Sequence, residues 1–452
     1  MKKRCYGFAL STRSELLAGL PLLAALAMPV NAADLLEIYT LAEQHDPQYK
    51  QAIAANLATQ EQRPITLSRL LPTLSLSAGA TRAEDDISPG AFTVGATSNV
   101  LVSDSHNYSL SLSQPLFRWD LYLDFRQTDN VIAQSNAELL GSQQDLIIRA
   151  TEAYFGMLAA EDNLEFARSD KLALSRQLEQ AKQRFEVGLT AITDVQEQQA
   201  GYDRSVATEI GAANGVDNAR EVLREIIGEY IFEFKKLKQE LPLLSPEPES
   251  IDEWTATALE QSLEVVAGRY AVENARDEID LQRSAHFPTL ELNGSAGYSR
   301  SDGGRFGSSK IHSNSIGVRL NVPIYQGGFI TARTRESVQR LEEQIQRLER
   351  AHRNAQSQTR QAYLGVISGI SEVDAFKQAL VSAETALEAT EAGFEVGTRT
   401  AVDVVTAQRA TSQARRDYAR SRYDYLLDTL RLKRAAGILS SDELAQVNQW
   451  LE

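Results

Sequence analysis

Phe185-Glu-Val-Gly188 recurs 209 positions later as Phe394-Glu-Val-Gly397. Other matches at the same offset are Ala153-Tyr154 with Ala362-Tyr363 and Asp194-Val195 with Asp403-Val404. The Pro-Thr-Leu sequences that begin at Pro72 and Pro288 lie 216 positions apart, so the offset between the copies is only seven residues larger here. This pattern indicates one structural unit that is written twice along the chain.

The offset divides the chain into two repeats and two flanking segments. We predict a first repeat at 33–229 and a second repeat at 252–436. A proline-containing segment at 230–251 separates them, and a last segment occupies 437–452. We expect these two segments to pack around the middle of an elongated molecule.

Residues 1–32 have the features of a secretory signal peptide. A basic start at Lys2, Lys3 and Arg4 precedes an apolar run, and Val30-Asn31-Ala32 is a small-x-small cleavage site. The apolar run is too short to serve as a membrane-spanning helix. Cys5, the only cysteine, lies in this leader, so we expect no disulfide, thiolate metal site or thiol nucleophile in the mature chain.

The mature chain is strongly acidic. Removing the leader, whose charged residues sum to +3, takes the formal net charge from −15 to −18. Such a balance excludes nucleic acid as an expected partner, because phosphate backbones are bound by basic surfaces. After the leader, no apolar run of roughly 18 residues predicts a transmembrane helix.

Four short stretches alternate polar and apolar residues and predict strands at about 73–81, 107–117, 289–298 and 315–325. One face is apolar: Leu74, Leu76, Leu110, Leu112, Leu290, Leu292, Ile316, Val318 and Leu320. The other face is polar: Ser75, Ser77, Ser109, Ser111, Glu291, Asn293, Arg319 and Asn321. Since the rest of the chain has helical patterns, no second sheet can cover the apolar face, and lipid outside with water inside is the better interpretation. The polar links at 82–106 and 299–314 suit long extracellular loops.

Four strands cannot close a barrel by themselves. An open edge in lipid leaves backbone groups unsatisfied at several kcal/mol each, so the chain must oligomerise. Geometry alone leaves two solutions open, a dimer with eight strands and a trimer with twelve.

The remaining sequence predicts long coiled helices. Apolar and small residues follow a 4-3 spacing from Leu146 to Phe185, and the same spacing returns from Ala355 to Phe394. A narrow seam of this kind is typical of a coiled coil. A helix from Trp119 to Val187 is about 100 Å long, which suits a tube or stalk.

Prolines and aromatic residues mark the junctions between strands and helices. Pro72 and Pro288 directly precede alternating stretches, and Pro115 and Pro323 follow the stretches whose alternation ends at Ser113 and Val322. The aromatic residues at these junctions are Phe117, Trp119, Tyr122, Phe287, Tyr325 and Phe329. Together they predict an interfacial girdle.

Four kinds of motif are informative together: Val187-Gly-Leu-Thr-Ala-Ile-Thr-Asp-Val195, Val396-Gly-Thr-Arg-Thr-Ala-Val-Asp-Val404, Arg422-Tyr-Asp-Tyr-Leu426 and the two Pro-Thr-Leu sequences. Through these motifs the chain resembles the TolC-type outer-membrane channel family. The likeness covers essentially the whole mature chain. It implies a mainly α protein with a transmembrane β-barrel part: a homotrimer whose twelve-stranded barrel continues into a helical tunnel.

The resemblance also implies a function and partners. Family members are passive exit ducts in the outer membrane of Gram-negative bacteria and extend into the periplasm. A periplasmic adaptor docks at the tunnel tip, and an inner-membrane transporter, an ABC or proton-driven type, supplies the energy. The expected cargo is drugs, type I secreted proteins or both.

The resemblance assigns candidate roles near the tip, at turns near 188–194 and 397–403. Gate links fall on Thr193, Asp194 and Arg399, and Phe394 replaces a family tyrosine, so one hydroxyl link must be absent. Asp403 matches the first ring of entrance carboxylates, while the second ring position is Thr406, which predicts weaker cation selectivity. Gly188 and Gly397 suit helix ends with positive φ. The candidate adaptor contacts are Val187, Gly188, Leu189, Val396, Gly397 and Thr398.

Two other classes of protein are weighed against a channel. An enzyme is disfavoured because the five histidines are scattered and no HExxH, GxSxG, P-loop or GxGxxG motif is present, so we expect no metal and no cofactor. A periplasmic coiled-coil scaffold or adaptor without a membrane barrel is the alternative. It explains the heptads and leaves the four alternating strands unexplained.

Overall fold

The computed structural model describes residues 32–87, 99–303 and 307–452. The predicted signal peptide, apart from residue 32, lies outside the described residues. The elements of the first half are α1 (Leu35–His45), α2 (Pro47–Gln60), α3 (Gln62–Ser68), β1 (Thr73–Ile87), β2 (Asn99–Phe117), α4 (Trp119–Glu186) and α5 (Ile192–Ile227). Those of the second half are α6 (Ile251–Gln261), α7 (Leu263–Ser284), β3 (Thr289–Gly303), β4 (Ser309–Asn321), α8 (Phe329–Glu395), α9 (Ala401–Ala435) and α10 (Ser441–Asn448). Short helices, a strand pair, one very long helix and a shorter helix thus follow in the same order twice.

The four strands form one antiparallel sheet in the order β1-β2-β3-β4. Leu74 lies opposite Leu112, and one residue further Ser75 lies opposite Ser111, with 2.7 Å between the two hydroxyl oxygens. The predicted apolar and polar faces are therefore real. Leu74 is 67% exposed and Ile316 is 82% exposed, so nothing in the described part of the protomer covers the apolar face at these positions.

The strands are longer than the alternation predicted. β1 continues to Ile87 and β2 begins at Asn99, so much of the expected loop at 82–106 is paired strand, with Arg82 opposite Asp104. β3 likewise reaches Gly303, and β4 begins at Ser309 rather than near 315. The alternation stops earlier than the ladder because neither face needs to be apolar once the strands leave an apolar layer, whereas backbone pairing continues. At its other end β4 stops at Asn321, before the predicted 325.

The junction prolines fall at strand ends with one correction. Pro72 and Pro288 directly precede β1 and β3, and Pro323 follows the end of β4. Pro115 was expected after its strand but lies inside β2, opposite Glu291, where the register shifts before Phe117. Because proline has no N–H to donate to the ladder, it is found inside a strand mainly where the ladder is irregular, as it is here.

The long helices form two antiparallel pairs. α4 has 68 residues and packs along α5, α8 has 67 residues and packs along α9, and the pairs meet along α4 and α9. The predicted seam positions of α4 that are buried are Leu146, Ala150, Ala153, Met157, Ala167, Leu174, Leu178 and Ala181. At about 1.5 Å per residue, each long helix extends roughly 100 Å from the sheet.

The largest buried cluster lies midway along the helices. Tyr154 of α4 is fully buried there, and its Oη donates to Lys235 O at 2.7 Å, with Ala33 O as a second acceptor 3.3 Å away. Leu237 pairs with Leu451 in a short bridge, so the segment between the repeats and the last residues meet at this level. Among the described residues, no helix has both the length and the apolar character that a membrane span requires.

Candidate functional site

Two turns lie at the end of the helices remote from the sheet, at 187–191 between α4 and α5 and at 396–400 between α8 and α9. Gly188 and Gly397 have φ values of 75° and 79°, a region that side chains with a Cβ disfavour. Leu189 N donates to Arg184 O and Thr398 N donates to Gly393 O, both at 2.8 Å. These are Schellman closures, so each glycine ends its long helix and reverses the chain.

The turns expose aliphatic side chains. Val187, Leu189 and Val396 are 70%, 72% and 76% exposed. An isolated exposed aliphatic residue is ordinary, but three on neighbouring turns at one end of a molecule form an apolar patch. The patch coincides with the predicted adaptor contacts.

The side chain of Asp403 caps the start of α9. Its Oδ2 accepts from Thr400 N at 2.8 Å and from Thr400 Oγ1 at 2.9 Å, while Asp403 N donates to Thr400 Oγ1 at 3.3 Å. This is a complete capping box. The backbone N–H and the hydroxyl of Thr400, with the nearby charge of Arg399, lower the pKa of Asp403, so the carboxylate is firmly ionised. Thr406, the predicted second ring position, is exposed on the same helix.

The predicted gate residues are only partly brought together within one protomer. Asp194 accepts a hydrogen bond from the Thr190 hydroxyl, and Thr193 is exposed. The ion pairs formed within the described part of the protomer do not include Arg399. Gly393 leaves room for the stem of Arg399, since a Cβ there would lie 2.7 Å from Arg399 Cγ.

Two contacts between α4 and α8 were missed by the sequence analysis. The Arg184 guanidinium lies over the ring of Phe394, and Gln177 Nε2 donates to Glu391 Oε1 at 3.5 Å. No pattern in the repeat predicts either contact, since Arg184 corresponds to Gly393 at the offset of 209 and the second copy therefore lacks the cation.

A second polar layer joins α4 to α9 nearer the middle of the helices. Asp170 Oδ1 accepts from Ser412 Oγ at 2.5 Å and from Gln408 Nε2 at 3.0 Å. Higher up, Tyr423 Oη donates to Asp162 Oδ2 at 2.7 Å. Burial raises the pKa of both Tyr423 and Asp162, so this pair is held in a weakly hydrated environment.

A family model described as outer membrane efflux protein matches residues 38–229 and 254–438, well over half of the chain. The chain belongs to the outer membrane efflux protein family. Membership places it in the outer membrane of a Gram-negative bacterium as a transport channel. It also confirms the resemblance, and none of the comparisons supports the alternative of a periplasmic scaffold or adaptor without a membrane barrel.

Relatives in this family align with nearly the whole chain. Outer membrane protein TolC of Vibrio cholerae is 37% identical over 433 residues, which cover 95% of this chain and 96% of that protein. TolC of Escherichia coli is 32% identical, with 93% and 85% covered. Alkaline protease secretion protein AprF of Pseudomonas aeruginosa is 30% identical, with 92% and 87% covered.

Solved outer-membrane channels share the fold of this family member. CmeC of Campylobacter jejuni superposes with a TM-score of 0.73 at 17% identity, covering 92% of this chain and 90% of that chain. VceC of Vibrio cholerae gives 0.71 at 19% identity, covering 89% and 96%. At these identities the likeness shows the architecture, and the predicted fold class of long helices with a four-stranded share of a barrel is confirmed.

Proposed function

We propose that the chain is the passive exit duct of a tripartite export machine that crosses the whole cell envelope. The observation that carries the proposal is the continuity of an open sheet, apolar and exposed on one face, with two helical pairs about 100 Å long. The sheet matches the outer membrane, and the helices are long enough to reach deep into the periplasm. An inner-membrane transporter, ABC or proton-driven, and a periplasmic adaptor supply the remaining parts. As a duct, it has no catalytic role and needs no cofactor.

The duct is a homotrimer. β1 and β4 are the edge strands of the described sheet, and each exposes a row of backbone groups that lipid cannot satisfy. Pairing β4 of one copy with β1 of the next closes the sheet without new elements. Three copies give twelve strands, the number that the family resemblance selects over eight.

The gate is at the two turns. Arg399 bonds Thr193 and Asp194 of a neighbouring copy, a charge-assisted link that is directional and reversible. One exposed pair of this kind contributes on the order of 1 kcal/mol or less, so closure relies on three equivalent pairs acting together. Within each protomer, Phe394 is held by Arg184 instead of through a tyrosine hydroxyl.

The entrance carries one charged ring. Three copies of Asp403, ionised because of the capping box, focus negative potential in a narrow mouth and favour cations. Thr406 leaves the next ring neutral, so selectivity is weaker than two carboxylate rings give.

The adaptor docks at the exposed turns. Val187, Gly188 and Leu189 form one contact segment, and Val396, Gly397 and Thr398 form the other. The exposed aliphatic side chains give the adaptor an apolar surface to cover, and the glycine closures fix the shape of the two turns.

Two kinds of cargo are favoured by specific observations. The family description favours efflux of small molecules. The AprF relative, named for secretion of an alkaline protease, favours type I protein secretion as a second function.

A deletion strain separates these functions. We expect deletion of the gene to sensitise cells to dyes, detergents and antibiotics, and the intact gene to restore resistance. Loss of a secreted protein from the medium, with unchanged susceptibility, would indicate a dedicated secretion outlet instead. Outer-membrane fractionation of the restored protein is the control, since a protein released by osmotic shock would contradict the duct proposal itself.

A further inference from the structure

The apolar face of the sheet changes character along the strands. Moving away from the helices, the rows of leucines end at a row that contains Tyr108, Tyr298 and His312, directly opposite one another in register. The Tyr108 and Tyr298 rings stack with 6.4 Å between centroids, and His312 lies 4.9 Å from Tyr298. This row is a second aromatic girdle on the same face.

The spacing of the two girdles matches an apolar membrane layer. Phe117, at the helical end of β2, is nine residues from Tyr108. At about 3.4 Å per residue and a tilt of about 40°, the two girdles are separated by roughly 25 Å in height, the usual apolar band of an outer-membrane barrel. Tyr108 and Tyr298 therefore mark the outer interface of the membrane.

The next row on this face is cationic. It contains His106, Arg300 and Lys310, which are exposed and directly opposite one another across three strands. On the opposite face at the same height the residues are serines, such as Ser301 and Ser309. The basic side chains thus occur on the face toward lipid and not on the face toward water.

The cations of this row are incompletely neutralised. Asp302 accepts from Arg300 Nε at 2.6 Å and from Ser308 Oγ at 2.7 Å, which fixes the guanidinium. The other nearby carboxylate, Asp104, faces Arg82 at 3.9 Å. Among the described residues Lys310 has no ion-pair partner within 4.0 Å, and its charge acts on Asp302 only from a greater distance. Lys310 also lies opposite Arg300, and like charges directly opposite in a sheet are destabilising. An anion between the two would remove that repulsion.

We propose that Arg300 and Lys310, with His106 beside them, bind the phosphate groups of an anionic glycolipid in the outer leaflet. The row lies about 7 Å along the strand beyond the aromatic girdle, at the depth where headgroup phosphates begin. The inference rests on the proposed membrane placement of the sheet and adds a ligand to it. The lipid fills the space outside the barrel, so the site is separate from the cargo path.

Binding of bis-phosphorylated lipid A to the purified full-length protein in detergent, followed by native mass spectrometry, tests the proposal. Each cation near a charged lipid surface is worth roughly a fivefold change in affinity, so the double variant Arg300→Gln with Lys310→Gln should bind on the order of twentyfold more weakly. The exchange Arg300→Lys with Lys310→Arg should keep the affinity. Arg319→Gln removes the same charge from the opposite face of β4 and should change nothing.

Several outcomes would overturn the proposal. They are equal binding by the glutamine double variant, an equal loss in Arg319→Gln, or equal binding of lipid A without its phosphates. Saturation of the site by inorganic phosphate alone at the same affinity would show an ion site and not a lipid site. Wild-type protein that inserts into phospholipid vesicles but does not bind lipid A refutes this inference alone, whereas failure to insert refutes the duct proposal as well.

Discussion

The guanidinium of Arg184 lies over the ring of Phe394, with 5.3 Å between Cζ and the ring centroid. Arg184 is two residues before the end of α4, and Phe394 is one residue before the end of α8. The contact therefore joins the two helical pairs at their tips. A cation over an aromatic face contributes about 0.5–1 kcal/mol at exposed sites, comparable with a typical hydrogen bond, which the Phe394 side chain cannot form because it has no hydroxyl.

Replacing Arg184 by alanine should loosen the closed tip. Loss of about 0.5–1 kcal/mol in each of three protomers that open together predicts an open population larger by a factor of roughly 10 to 160, seen as higher conductance in planar bilayers. Phe394→Leu should have the same effect, while Phe394→Tyr should keep or strengthen closure. Arg176→Ala, an exposed arginine of the same helix, is the matched control. A conductance of Arg184→Ala equal to that of the control would show that the contact does not hold the gate.

A second carboxylate ring at the entrance should strengthen cation selectivity. Thr406→Asp adds three charges one helical turn from Asp403, and we expect a more negative mouth that favours cations and is blocked by multivalent cations at lower concentration. Reversal potentials in asymmetric KCl and a titration with a trivalent cation measure the two properties. Thr406→Asn is the uncharged control. If both properties stay unchanged in Thr406→Asp, position 406 does not face the conduction path.

The tip glycines should not tolerate a Cβ. Gly188→Ala and Gly397→Ala force an alanine to positive φ, which costs about 1–2 kcal/mol and should open the turns locally. Hydrogen exchange of the turn amides measures the effect as faster exchange near the substitution. Gly211→Ala, in α5 with open space around it, should be neutral or slightly stabilising. Unchanged exchange at the turns in both tip variants would contradict a role for Gly188 and Gly397 in closing the two helix ends.

The α4–α9 contact should be more stable in mild acid. Burial raises the pKa of Asp162 against the opposing hydrogen bond from Tyr423 and the charge of Lys236, so folding favours its protonated form. Its contribution is therefore fully present below the ordinary carboxyl pKa of 3.8 and is lost as the pH rises through the higher folded value. Glu161, whose pKa burial also raises, acts in the same direction.

The variant Asp162→Asn tests this pH dependence. It should reduce the fall in unfolding temperature between mildly acidic and neutral pH, measured by circular dichroism in detergent. Asp203→Asn, which changes an exposed carboxylate of α5, is the control and should leave the slope as it is. A slope unchanged by Asp162→Asn would show that the buried pair does not titrate in this range.

The sequence predicted most of the architecture and less of the site. Alternation in Leu74 to Ser77 and Leu110 to Ser113 gave the strand faces correctly, and the 4-3 spacing from Leu146 to Ala181 gave the seam. It did not give the outer strand ends, because residues such as Arg82 and Asp104 pair through the backbone where no alternation of polar and apolar side chains predicts a strand. The sequence analysis placed Asp403 among the entrance carboxylates, and its capping box with Thr400 emerged only from the structure.

The sequence by itself determined the features that follow from periodic patterns and from turn residues. Strand faces follow from a period of two, helical seams from a period near 3.5, and the closures at Gly188 and Gly397 from their freedom at positive φ. Only the tertiary structure decided which side chains meet across elements. Tyr108 faces Tyr298, and Arg184 faces Phe394, because sheet register and helix pairing bring together residues about 200 positions apart. Contacts between residues so far apart in the chain depend on how all the helices and strands pack together, and no local sequence pattern predicts that packing.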